Sequence, residues 1–152
     1  MRKLIIAALL AAMAGAASAQ DYNSAPNYGV VRLSPGFRPD PHMVSLRAGG
    51  SIDARTRFSD CRGFITQAPD IRLFWDGNGS LPLRLSVTSN ADTTLVVNGP
   101  GGEWYCDDDS GGGTNPAVAL NPTAGRYEIW VGTYSAGTSQ PAYLAISELT
   151  NY

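Results

Sequence analysis

From residue 41 onward, short runs of Val, Ile, Leu, Thr and aromatic residues alternate with clusters of Gly, Pro, Asn and Asp. The punctuation recurs roughly every eight to twelve residues, the rhythm of an all-β chain. It predicts strands over 43–46, 63–66, 71–76, 81–89, 93–98, 103–106, 117–120, 126–134 and 142–148. Several of these alternate with period two. Leu81, Leu83, Leu85 and Val87 share one face, with Arg84 and Ser86 on the other. Tyr127, Ile129 and Val131 likewise oppose Glu128 and Trp130. Strands of that kind belong to an antiparallel sheet with one wet face. No stretch beyond residue 19 has the pattern of a helix of ten or more residues. The count and spacing predict an antiparallel β-sandwich of roughly eight strands.

The first residues read differently. Arg2 and Lys3 precede an apolar run over 4–14, and small residues end in Ala17-Ser18-Ala19. A charged start, a run too short to span a bilayer and an A-x-A site make residues 1–19 an expected Sec-type signal peptide. Position 20 is Gln rather than Cys, which argues against a lipid anchor. No later apolar run approaches membrane length, so a periplasmic or secreted protein is expected. Residues 20–40, rich in Pro, Asn, Ser and Gly, read as an N-terminal arm. Its Val30-Val31-Arg32-Leu33 is either a strand or a docked segment. Residues 41–152 form the sandwich domain, long enough for one real core.

Charge narrows the partners. Without Arg2 and Lys3 the chain carries nine Arg against 13 Asp and Glu. That acidic balance excludes nucleic acid and anionic membrane as expected partners. Cys61 and Cys106, an even pair in an oxidising compartment, are expected to form one disulfide.

The chemistry worth weighing sits in Cys106-Asp107-Asp108-Asp109-Ser110-Gly111-Gly112-Gly113. Asp109-Ser110-Gly111-Gly112 matches the nucleophile context of chymotrypsin-like proteases. A serine hydrolase built on it would need His42, the single histidine, as its base. His42 lacks the small-residue and Cys neighbours of that family's histidine. Asp108 stands where the family has Gly, and three adjacent carboxylates oppose deprotonation of a hydroxyl. The alternative is a calcium site. Clustered carboxylates on a Gly-rich loop suit a hard cation wanting six to eight oxygen ligands. Asp92 would join Asp107, Asp108 and Asp109 if 93–98 and 103–106 pair through Asn98-Gly99-Pro100-Gly101-Gly102. A solvated turn, or one neutralised by arginine, is the plainer reading.

A resemblance extends these readings. Cys61-Arg62-Gly63-Phe64-Ile65, Pro69-Asp70-Ile71-Arg72-Leu73 and Asp92-Thr93-Thr94-Leu95-Val96-Val97-Asn98-Gly99-Pro100 are its first segments. Trp104-Tyr105-Cys106-Asp107-Asp108-Asp109-Ser110, Asn115-Pro116 and Gly125-Arg126-Tyr127-Glu128-Ile129-Trp130-Val131-Gly132 follow. In that order they resemble the bacterial pre-peptidase C-terminal domain group, over about residues 40–150. The resemblance implies a jelly-roll-like β-sandwich and a non-catalytic role beside secreted hydrolases. It also implies binding of calcium or of a polymeric ligand in some members. Gly101-Gly102 stands where an acidic residue is common in the group.

Aromatic residues offer a second surface. Trp130, with Trp104 and Tyr134, makes an aromatic platform if its face is open. Otherwise residues 30–33 of the arm cover it. Trp75 alternates with Ile71 and Leu73 and reads as core, while Arg72 and Arg84 point outward as cross-strand partners of acidic residues. The sequence therefore favours an exported, monomeric, non-catalytic binding or accessory module for an extracellular or periplasmic polymer or protein, with calcium as the candidate ligand of its acidic turn. Its rivals are a small serine hydrolase using Ser110 and His42, and an envelope structural module with no small ligand.

Overall fold

In the computed structural model, which describes residues 20–152, the alternating runs become eleven strands and one 3-10 turn. The expected signal peptide lies outside the described residues. The strands are β1 Val30–Leu33, β2 His42–Gly49, β3 Ile52–Asp53, β4 Phe64–Ile65, β5 Ile71–Trp75 and β6 Leu83–Thr88. They continue as β7 Thr93–Asn98, β8 Trp104–Asp107, β9 Ala117–Leu120, β10 Gly125–Thr133 and β11 Ser139–Ser147, with the 3-10 turn at Ala54–Thr56.

Eight of them build two layers. One runs β2-β11-β6-β9; the other runs β5-β10-β7-β8. In chain order, the first, eighth, third and sixth strands form one layer and the second, seventh, fourth and fifth the other. That is the winding of a jelly roll. The remaining strands extend the second layer. β4 follows the same side of β10 as β5, with Phe64 opposite Thr133, and β3 pairs with β4. β1 adds to β5 in parallel, Val30 opposite Arg72 and Leu33 opposite Trp75. This is a departure from a purely antiparallel sheet. The chain leaves β1 for β2 in the opposite layer, so no hairpin fixes its direction.

The main core fills the space between the layers, with Ile71, Leu73, Trp75 and Ile129 on one side and Leu83, Leu85, Leu144 and Ile146 on the other. A second, smaller core lies on the outer side of β7 and β10, where Val96 and Trp130 are covered by Ala54, Cys61 and Ile65. This corrects the expectation of one wet face for the central strands. From Tyr127 to Thr133 and from Thr93 to Val97 every residue is buried. The cover comes from 52–65, not from the arm at 30–33. Gly132 allows the close approach: a Cβ there would lie 2.7 Å from the Phe64 carbonyl oxygen and 2.5 Å from Thr94 Oγ1.

The Cys61–Cys106 disulfide joins this covering segment to β8, with Cα atoms 5.2 Å apart and a sequence separation of 45. By chain entropy such a loop closure stabilises the fold by about 4 kcal/mol.

Candidate functional site

The acidic turn is folded rather than open. Asp107, the last residue of β8, accepts hydrogen bonds on Oδ1 from Ser110 Oγ (2.6 Å) and on Oδ2 from the N–H groups of Ser110 (2.9 Å) and Ala117 (2.8 Å). Its carboxylate therefore closes the turn and ties it to β9. Asn115 clips the other side: its Oδ1 accepts from Ser89 N–H and Thr93 Oγ, and its Nδ2 donates to the Ser89 carbonyl. The Asn115-Pro116 pair belongs to the segments of the resemblance, but the clip itself has no signal in spacing.

These bonds reassign the expected ligand set. Asp107 is committed to its own loop. Asp92 faces Asp109 and Asp108, and burial first, then those two charges, push its carboxyl up from the usual range. Its Oδ1 is buried with no hydrogen-bond donor. Among the described residues, no three His, Cys, Asp or Glu side chains are grouped closely enough to hold a metal ion.

Ser110 and His42 are not brought together. The Ser110 hydroxyl donates to Asp107. His42 begins β2, while the turn leads into β9 across β11 and β6. Three strand spacings, about 14 Å, separate the two edges. A base that far from the hydroxyl cannot take its proton.

The expected aromatic platform is rearranged in the same way. Trp130 is fully buried, so it contacts no ligand directly. Tyr134 is exposed but lies just past the far end of β10, its N–H bonded to the Asp92 carbonyl. Of the two tryptophans, Trp104 keeps a place at the surface. Its ring stacks on Phe58 (centroids 4.0 Å apart) and leans on Trp130 (5.5 Å). A partly exposed indole held on two sides is a fixed wall, not a mobile side chain.

That wall borders a cleft of about 620 Å³ lined by Tyr22, Asn98, Trp104 and Arg126 and by the backbone of the β7–β8 turn. Gly125 lets the turn seat against β10, because a Cβ there would lie 2.5 Å from that of Pro100. Tyr22 and Arg126 came to this site without notice from the sequence, since Tyr22 belongs to the arm.

The arm is fixed by buried acids. Glu128, only 1% exposed, accepts from Arg72 Nε (2.5 Å) and lies 3.1 Å from Arg126 Nε. Burial pushes its carboxyl up, and the hydrogen bond and charge of Arg72, with the charge of Arg126, pull against that. Arg72 Nη2 donates onward to the Tyr22 and Ser24 carbonyls, and Arg126 Nη2 donates to Asn23 Oδ1. Asn27 Nδ2 donates to Asp70, which also receives the Val131 N–H. The outward Arg72 thus has the acidic cross-strand partner its pattern suggested, and that pair docks the segment carrying Tyr22.

No protein-family model matches the chain. An uncharacterized protein from Synechococcus elongatus is 33% identical over 124 residues, covering 78% of this chain and 82% of that protein. Among solved structures, the crystal structure of Aeromonas hydrophila PliG, a periplasmic lysozyme inhibitor of g-type lysozyme, aligns with a TM-score of 0.38. Its identity is 18%, covering 78% of this chain and 96% of that one. A likeness at that level supports no transfer of partner or activity.

Proposed function

The chain belongs to the family of that Synechococcus elongatus protein, and from its own surface we propose that it is an exported, monomeric, non-catalytic binding module. The cleft of Tyr22, Trp104 and Arg126 is its ligand-bearing surface.

The observation that carries this reading is the support of Trp104. A ring half-open to solvent, braced by Phe58 and by the buried Trp130, is preorganised for contact and loses little freedom on binding. An arginine, an asparagine and a second ring stand around it. Apolar walls with a few placed polar groups are what ligand clefts offer. The hydrolase alternative loses its support, because His42 begins β2 and the turn of Ser110 leads into β9, at the opposite edge of that layer. The resemblance to the pre-peptidase C-terminal group accords with an accessory binding role, and the leader pattern of 1–19 with export. In this reading calcium is a candidate for Asp92, Asp108 and Asp109 only if those carboxylates draw together around it, since Asp107 is consumed and the three are not grouped as they stand.

Intrinsic fluorescence tests the proposal directly. Trp75 and Trp130 are buried, so a ligand in the cleft changes the emission of Trp104. Screening an array of soluble glycans and peptides should yield a saturable change, and calorimetry with the same ligand should show that Trp104→Ala loses the binding itself. Silence across a broad array would favour an envelope structural module instead.

A further inference from the structure

We infer that the ligand of this face is an acidic polysaccharide, a linear sugar polymer carrying carboxylates, laid across β1, β5 and β10. This rests on the cleft being the binding surface.

Three side chains stand in register across the strands: Arg32 opposite Phe74, and Phe74 opposite Arg126. Two strand spacings put the arginine Cα atoms about 10 Å apart, with a ring between them. Arg32 is exposed and lies 4.3 Å from the centroid of Phe74. It has no ion-pair partner among the described residues. Asp76, which lines the same cleft, makes no ion pair with it. Arg126 shares the single carboxylate of Glu128 with Arg72, which holds it more closely. So three guanidinium groups on this face, those of Arg32, Arg72 and Arg126, meet two carboxylates, the buried Glu128 and the exposed Asp76, in a chain that is otherwise acidic. The local sign is the reverse of the global one.

The shape agrees with the charge. The cleft beside Trp104 and a second of about 410 Å³ beside Arg32 and Phe74 share Gly125 in their walls. Together they make one shallow path along which aromatic rings alternate with guanidinium groups, Trp104 presenting its free edge because Phe58 and Trp130 hold it on two sides. Aromatic rings pack against the C–H surfaces of sugars, and guanidinium forks take carboxylates in paired hydrogen bonds. A peptide bound by strand addition needs a free backbone edge. β5 and β10 are paired on both sides within this face, and the one free edge belongs to β1, only four residues long.

The probe is an oligomer of galacturonic acid, compared with its methyl-esterified form and with poly-glutamate of similar charge, all read by Trp104 emission. The free acid should bind, weaken as salt rises, and exceed the ester at least tenfold. Arg32→Gln should weaken it by about tenfold, one charge-assisted contact, with thermal unfolding little changed because the exposed Arg32 makes no ion pair and only stacks on Phe74. Equal binding of the ester would overturn the inference, and so would binding of poly-glutamate alone. If only neutral glycans change Trp104 emission, the binding face stands and the acidic ligand falls. If nothing in any series changes it, the reading of the cleft falls as well.

Discussion

The indole of Trp104 leans on that of Trp130, ring centroids 5.5 Å apart and planes inclined by 32°. One ring is sealed from water and the other is part of an open cleft, so packing and recognition meet in a single contact. Replacing Trp130 by Ala should remove the support as well as core volume. A loss of about 3–5 kcal/mol in urea unfolding is expected. Trp104→Ala, at a partly exposed position, should cost well under half of that. Similar losses from the two substitutions would mean that Trp104 is simply core.

The disulfide should act on the same contact. Cys61→Ser with Cys106→Ser releases the segment that covers Trp130 and removes the loop constraint. The expected loss is about 4 kcal/mol, an upper value because the unfolded chain keeps some structure. Acrylamide quenching of tryptophan emission should rise at the same time. Lower stability without greater quenching would show that the cover stays closed without its tether.

The pH dependence of stability should carry the signature of Asp70. Burial raises its carboxyl to about 6 from an ordinary 3.8, against the hydrogen bonds from Asn27 and Val131. Between those values the native state keeps a proton that the unfolded chain has lost. The stabilisation is therefore complete below about pH 3.8 and declines as pH rises through about 6, by up to about 3 kcal/mol. Asp70→Asn should flatten that part of the profile, because the Asn27 amide can turn its oxygen toward the new donor. Urea midpoints of both proteins from pH 4 to 6.5 test it, and parallel profiles would assign the slope to other groups.

In the acidic turn the three aspartates should behave unequally. Asp107→Ala leaves the Ser110 and Ala117 N–H groups without their acceptor and should cost about 2–3 kcal/mol. Asp108→Ala should stay within about 0.5 kcal/mol. Asp109→Asn removes a like charge facing Asp92 and should raise the melting midpoint in EDTA. Calcium titration completes the test by linkage. A saturable rise that Asp109→Asn loses would establish a cation at Asp92, Asp108 and Asp109, and a flat response would show the turn satisfied without one.

Much of the fold was legible because local pattern reports local facing. The short apolar runs between turn clusters located β5, β7 and β9 almost to the residue, and Trp75 fell in the core as its alternation with Ile71 and Leu73 required. The Thr93–Val97 stretch also carried an unread sign: it is apolar without alternation, as strands buried on both faces are. β3 escaped notice because two residues are too few to show a period.

The sequence by itself determined that this chain is all-β, where most of its strands run, and that its two cysteines had a use for each other. Those are consequences of side-chain alternation, turn chemistry and composition, which act over a few residues. Only the tertiary structure decided that Trp130 is sealed, that Asp107 closes its own turn, that the turn of Ser110 leads into the edge opposite His42, and that Tyr22 stands beside Arg126. Each of these depends on partners tens of residues away. A strand pattern states which side chains leave the sheet together; it is silent on what the rest of the chain lays over them.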